Sequence, residues 1–411
     1  MNKIAIIGAG ISGLTSANLL KDRYDIVLYE KSEVPGGLIK CNWVNGGLFH
    51  TCGGHVFNSK RKDVLDWFKS KFFLEQEFLR EERNSTIYFD NGAYIPYPLE
   101  DHIYYLNPTI QKQIIDDYIE LIISDKPAPQ NFEDFLKANF GKTLYSIYFK
   151  PYNEKVWRRN LKTVPLRWLE GKLPTPSIKE MIYNNINHVE EKKFVHSTYW
   201  YPKNNGSQFI ANRLAENLRI CYNNEINEIK YDGIGWRINE TPYEKIIFCG
   251  NIKEMANIIK GINITNYLPY IDDLEYHGTT SVFCELDKTP YSWIYQPSIL
   301  HKSHRIICTG NFSEHNHPFG KTNGTIEFTD KLSIEEIKYN LQKMPLHPKY
   351  LAHCYNKFTY PIQDLKTRQF IRDLKLLFEP YGLYFTGRFA DWEYYNMDVA
   401  IGAAIDLCKK L

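Results

Sequence analysis

Three glycines, Gly8, Gly10 and Gly13, lie between the apolar run Ile4 to Ile7 and Leu14, in a spacing that can hold a diphosphate. Gly8 permits a tight turn, Gly10 lets backbone approach a pyrophosphate, and Gly13 lets a helix pack close to a strand. Ile11 and Ser12 then open a helix whose unpaired N–H groups and positive dipole end face the phosphates. A second apolar run, Ile26 to Tyr29, ends at Glu30, where a carboxylate takes the ribose hydroxyls of an adenosine, with Lys31 beside it. Strand, glycine turn, helix and acid at these distances predict a dinucleotide site.

The pair Gly36–Gly37, six residues beyond Glu30 and followed by Leu38, separates this pattern from a simple NAD site. Flavoproteins of the glutathione-reductase and amine-oxidase type carry such a second glycine turn beside the FAD diphosphate, and FAD is the expected cofactor. His50, Cys52 and His55 cluster, but Cys52-Gly53-Gly54-His55 has none of the regular zinc spacings, so no metal is expected. Gly53 and Gly54 argue instead for backbone pressed against a flat group such as an isoalloxazine ring, with His55 beside it. A satisfied structural histidine is the alternative. The chain has no GxSxG elbow and no HExxH motif.

These residues need a large scaffold. At 411 residues the chain is too long for one compact core, and 43% hydrophobic with 24% charged residues is ordinary for a globular enzyme. A net charge of +2 makes no case for nucleic acid or an anionic membrane, and no apolar run approaches the ~20 residues of a membrane span. Eight cysteines without CxxC spacing favour reduced thiols and a cytoplasmic location. Cofactor-domain signals recur along the chain, predicting an α/β fold with a discontinuous Rossmann-like FAD-binding domain over 1–59, 200–265 and 365–411. Residues 60–199 read as a mainly helical substrate and oligomerisation domain. Helices are expected at Lys62–Phe68, at Ile110–Ile123 and after Asn131, with a hairpin around Asn91-Gly92. Residues 266–364 alternate as an antiparallel sheet domain.

Taken together, the motifs resemble the UDP-galactopyranose mutase family. The resemblance rests on the N-terminal fingerprint, Gly53-Gly54-His55-Val56-Phe57, Ile95-Pro96-Tyr97-Pro98 and Tyr152-Asn153-Glu154-Lys155-Val156-Trp157. It continues through Tyr201-Pro202 with Gly206, and Gly387-Arg388-Phe389-Ala390-Asp391-Trp392-Glu393-Tyr394-Tyr395-Asn396-Met397-Asp398. It implies a flavin-dependent mutase interconverting pyranose and furanose forms of a nucleotide-diphosphate sugar through a reduced-FAD N5–sugar adduct, for surface glycan biosynthesis. The lack of a serine or cysteine nucleophile is then expected, and NAD(P)H could supply the electrons. A homo-oligomer is also expected.

The resemblance also assigns residues. Arg305 and Tyr394 contact the diphosphate, with Tyr360 and Tyr295 as phenol donors; a forked cation with neutral donors suits phosphate oxygens. Asn153 and Trp157 face the nucleotide, and Trp293 and Asn396 complete the substrate set. Arg388, Met397 and Asp398 lie by the FAD, as do Gly54 and His55, and His55, Arg305, Lys172 and Tyr394 form the catalytic set. Three departures bear on the substrate. Lys172 stands where the eukaryotic-type enzymes carry a second diphosphate arginine, Glu100 replaces a glutamine beside the base, and His196 replaces an asparagine. They imply a sugar or base other than UDP-galactose. The rival reading is an FAD-dependent oxidase or desaturase of the amine-oxidase type, which has no use for cations and tyrosines around a dianion. A lid over the substrate is expected at Lys192–Gly206.

Overall fold

A computed structural model describes residues 2–124, 128–166, 175–189, 197–318 and 320–411. The β-branched runs at the N-terminus form a five-stranded parallel sheet ordered Leu383–Phe385, Lys245–Phe248, Lys3–Ile7, Asp25–Tyr29, Ile220–Cys221. The three central strands, Lys245–Phe248, Lys3–Ile7 and Asp25–Tyr29, are largely buried, as apolar runs in a parallel sheet covered on both faces require. Helices Ile11–Leu20 and Met397–Cys408 cover one face through Leu14, Ala17, Leu20, Ile401 and Ile405. The other face packs under Trp236, Ile252 and Phe378, with a small sheet of Thr241–Tyr243, Trp236–Ile238, Ile229–Tyr231 and Ile259–Lys260. The mixed α/β architecture with a Rossmann-like body is as the sequence predicts. Helix Gly206–Ala215 leads into the short edge strand Ile220–Cys221 of this sheet.

Helices Lys62–Lys71, Pro108–Ile123 and Phe132–Leu144 stand where the periodicity places them. Asn107 caps the second by accepting from Ile110 N–H, and Asn131 caps the third by accepting from Asp134 N–H. The hairpin around Asn91-Gly92, strands Ser85–Tyr88 and Tyr94–Pro96, does not stay with these helices. It adds to a seven-stranded sheet ordered Lys349–Pro361, Tyr276–Leu286, Thr322–Thr329, Arg305–Ile307, Trp293–Tyr295, Ser85–Tyr88, Tyr94–Pro96. The join is one parallel pairing, Trp293↔Ser85 to Tyr295↔Ile87, within an otherwise antiparallel sheet. This sheet therefore carries side chains from both the helical region and the strand-rich region.

Candidate active site

A cavity of about 750 Å3 opens beyond the ends of the parallel strands, where Ile7, Tyr29 and Phe248 finish. Openings at strand C-termini are where such folds bind ligands. Gly8, Gly10, Ile11, Ser12, Glu30, Lys31, Gly37, Leu38, His55, Arg388 and Met397 all line it. Gly13 does not, but a Cβ there would stand 2.0 Å from the Gly8 carbonyl oxygen, so only glycine lets the helix meet the turn. The Glu30 carboxylate is fixed by two backbone donors, Ala9 N–H at 2.8 Å and Ser32 N–H at 2.9 Å.

Two helix N-termini open into the same space. Helix Ile11–Leu20 begins at Gly10 with neither a side-chain cap nor an acidic residue in its first turn. Helix Met397–Cys408 begins at Asn396, also without a side-chain cap, and Asn396 lines the cavity. Uncapped N–H groups with positive dipole ends suit a diphosphate or an electron-rich ring. Asp398 turns away: it is buried, its side chain bonds Ser59, and burial raises its pKa. The cavity thus fits a dinucleotide on its residues alone.

His55 is held neutral. Burial, reinforced by the Arg388 charge, lowers its pKa to about 4, and its Nε2 is buried with no hydrogen-bond partner. Its backbone N–H donates to Nδ1 of His50 at 3.3 Å, and His50 in turn meets the Tyr201 hydroxyl at 2.8 Å. Burial pushes the Cys52 thiol up to about 12, which rules out a thiolate there. Arg388 is fixed by the carbonyls of Tyr395 at 2.8 Å and Thr359 at 3.1 Å and lies 4.4 Å over the Tyr394 ring.

Beside the cavity, strand register builds a polar row. Tyr295 stands opposite Arg305, Arg305 opposite Glu327, Glu327 opposite Ser281, and Ser281 opposite Cys354. Residues directly opposite share a face of the sheet, so one row runs from Tyr295 to Cys354, which lines the cavity. Arg305 donates through Nε to Glu327 and through Nη2 to the Tyr360 hydroxyl at 3.2 Å. Tyr360 stacks on Tyr394 at 5.4 Å and 7°, and Trp157 meets Tyr360 edge-on at 6.3 Å. Burial pushes Glu327 up, yet Arg305 and His304 outweigh it and hold the carboxylate far below its usual range. The same carboxylate accepts from Gly53 N–H at 2.6 Å, tying the Gly53–His55 segment to Arg305. Tyr97 and Tyr152 pack against Tyr295, and burial keeps the hydroxyls of Tyr97, Tyr152 and Tyr360 protonated.

The remaining candidates separate. Trp293 is buried beneath Gly54, between Tyr199 and Phe312; a Cβ on Gly54 would stand 2.8 Å from both Trp293 Nε1 and Ile307 Cγ2. The Asn153 amide donates back to Phe149 O of its own helix at 2.7 Å. Glu100 is buried in the turn Leu99–Asp101, its carbonyl accepting from Asn185 at 2.7 Å. Lys172 and His196 lie outside the described residues, as does the expected lid before Ser197. Within the rest of that segment Thr198–Pro202 is strand, paired with Phe78–Glu82 in a five-residue ladder. Glu327 was not legible; the only hint was an acid within the run Thr322–Thr329, which is buried throughout.

Comparison with known proteins agrees with this geometry. Residues 6–70 match a family model described as an NAD(P)-binding Rossmann-like domain. A crystal structure of reduced UDP-galactopyranose mutase superposes with a TM-score of 0.88 at 22% identity, covering 100% of this chain and 93% of the other. The fold is that of UDP-galactopyranose mutase. In sequence, the chain is 23% identical to dTDP-fucopyranose mutase of Escherichia coli, over 100% of this chain and 98% of the relative. It is 22% identical to UDP-galactopyranose mutase of Mycoplasma genitalium, over 99% and 94% respectively. The resemblance to pyranose–furanose nucleotide-sugar mutases therefore spans the whole chain, and these relatives are isomerases. Among the described residues no helix is long and apolar enough to cross a membrane.

Proposed function

We propose that the protein is a flavin-dependent mutase interconverting the pyranose and furanose forms of a nucleotide-diphosphate sugar. The observation that carries this is the row Tyr295–Arg305–Glu327–Ser281–Cys354, which joins a partly buried arginine, bonded to the Tyr360 hydroxyl, to Cys354 on the wall of a dinucleotide cavity. Reduced FAD, when bound, supplies an electron-rich ring nitrogen able to attack the anomeric carbon. The chain's own residues do the rest. Arg305 and the hydroxyls of Tyr360 and Tyr295 bind the diphosphate and stabilise the charge it gains on leaving. Glu327 holds the Arg305 guanidinium in register. Neutral His55 adds no charge beside the cofactor, while Arg388 and two helix N-termini supply a positive field there.

Glu100, Lys172 and His196 support a substrate other than UDP-galactose itself, and the E. coli relative named for dTDP-fucopyranose makes a dTDP-sugar a leading alternative. Reduction by NAD(P)H, a cytoplasmic location, a homo-oligomer and a role in surface glycan synthesis belong to the same reading. An oxidase of the amine-oxidase type needs an apolar pocket for hydride transfer, and a charged row at the cavity edge disfavours it. Titrating UDP and dTDP into the FAD-loaded protein tests the reading. At least one should bind and perturb the flavin absorbance, with Arg305→Ala abolishing the change while FAD stays bound. No binding of either, or loss of FAD from that variant, contradicts it.

A further inference from the structure

Arg305 shares its charge with Glu327 in an ion pair closed within the sheet, so the pair brings little net positive charge to a dianionic diphosphate. A second cation must stand nearby. Arg83 follows the strand Phe78–Glu82, and its backbone is pinned by donating N–H to Ser197 O at 2.8 Å. Its Nε donates to Ser85 Oγ at 2.7 Å, its Nη2 donates to the Tyr295 hydroxyl, and its guanidinium lies 4.6 Å from the centroid of the Trp293 ring. Among the described residues no carboxylate pairs with it, and its Nη1 edge has no partner. A partly buried guanidinium without a counter-ion is costly, and stacking on a tryptophan offsets only part of that.

Tyr295 joins the two arginines. It stands directly opposite Arg305 in the sheet, and because its oxygen accepts from Arg83, its own proton is free to donate outward. Guanidinium, phenol and guanidinium thus line one face, one arginine paired with Glu327 and the other with no carboxylate partner among the described residues. We propose that Arg83 is a second anion-binding arginine of the site, its free edge taking a phosphate oxygen of a nucleoside diphosphate across Tyr295 from Arg305. The proposal rests on the reading of Arg305 as a diphosphate contact. It also supplies a forked donor that Lys172, whatever its place, does not.

The test is titration of UDP and dTDP into FAD-loaded wild type, Arg83→Gln, Arg83→Lys and Arg305→Ala. Arg83→Gln should weaken diphosphate binding about tenfold or more, since a hydrogen bond to a charged group is lost. Arg83→Lys should recover part of that, and the affinity of Arg83→Gln should fall less steeply with salt, because one charge contact is gone. Affinity of Arg83→Gln within about twofold of wild type, with Arg305→Ala strongly weakened, overturns the proposal and leaves Arg83 a packing residue. If neither variant weakens binding, the reading of the whole row has failed. If Arg83→Gln does not retain FAD, Arg83→Lys decides: wild-type affinity and salt dependence in that variant overturn the proposal.

Discussion

Glu327 is the residue on which the site turns. It is fully buried and accepts from both Arg305 and Gly53, so removing its charge strands an arginine in a low-dielectric setting. Breaking a buried pair from one side costs about 3–5 kcal/mol. Glu327→Gln should therefore lower the urea midpoint and weaken nucleotide-diphosphate binding together; wild-type stability would mean that Arg305 does not depend on it. A second prediction concerns pH. Burial lowers the pKa of His50 to about 3, of His55 to about 4 and of His301 to about 3. In the unfolded chain these rings titrate near 6.5, so between pH 6.5 and about 4 the unfolded state binds protons that the fold refuses. Stability should fall as pH drops through that window, by up to about 1.4 kcal/mol per unit for each ring. A urea midpoint that is flat or rising from pH 7 to 5 would contradict this.

At the scale of elements, much was legible and some was not. The phosphate turn, its helix and Glu30 are local in sequence, so their chemistry could be read before any fold was known. The Asn91-Gly92 hairpin was equally local, but its partner was not: Ser85–Tyr88 pairs in parallel with Trp293–Tyr295, far along the chain. That single long-range join puts Arg83 beside Tyr295, and no periodicity within either segment contains it. The row from Tyr295 to Cys354 likewise depends on cross-strand register, which alternation alone leaves open. Glu327 was overlooked because an acid between Ile326 and Phe328 in a largely polar run gives no sign of its partner. Part of the segment expected as a lid, Thr198–Pro202, is rich in aromatic residues and forms a strand. One substitution tests the element-level account. Gly13→Ala would place a methyl 2.0 Å from the Gly8 oxygen, so the helix must withdraw from the turn. The purified variant should lose most of its FAD; retention at the wild-type level would mean that the turn does not hold the diphosphate.

Across the whole molecule, the parallel sheet presents a dinucleotide cavity at its strand ends, and the seven-stranded sheet brings a charged row to that cavity's edge. Neither sheet alone forms the site. One contact between them runs through Gly53, whose N–H reaches Glu327 while His55 lines the cavity, and another through Thr51, whose carbonyl accepts from Asn356 at 2.7 Å. The fold is shared with reduced UDP-galactopyranose mutase, and the sequence resemblance to mutases named for UDP-galactopyranose and dTDP-fucopyranose spans the full chain. The most direct measurement is turnover as a function of flavin redox state. The FAD-loaded protein, reduced with dithionite, is incubated with UDP-galactofuranose and separately with dTDP-fucofuranose, and the sugar nucleotides are resolved by chromatography. The account predicts conversion of at least one to its pyranose form with reduced flavin and none with oxidised flavin. Equal conversion in both states, or oxygen-consuming oxidation of the sugar in place of isomerisation, would contradict it.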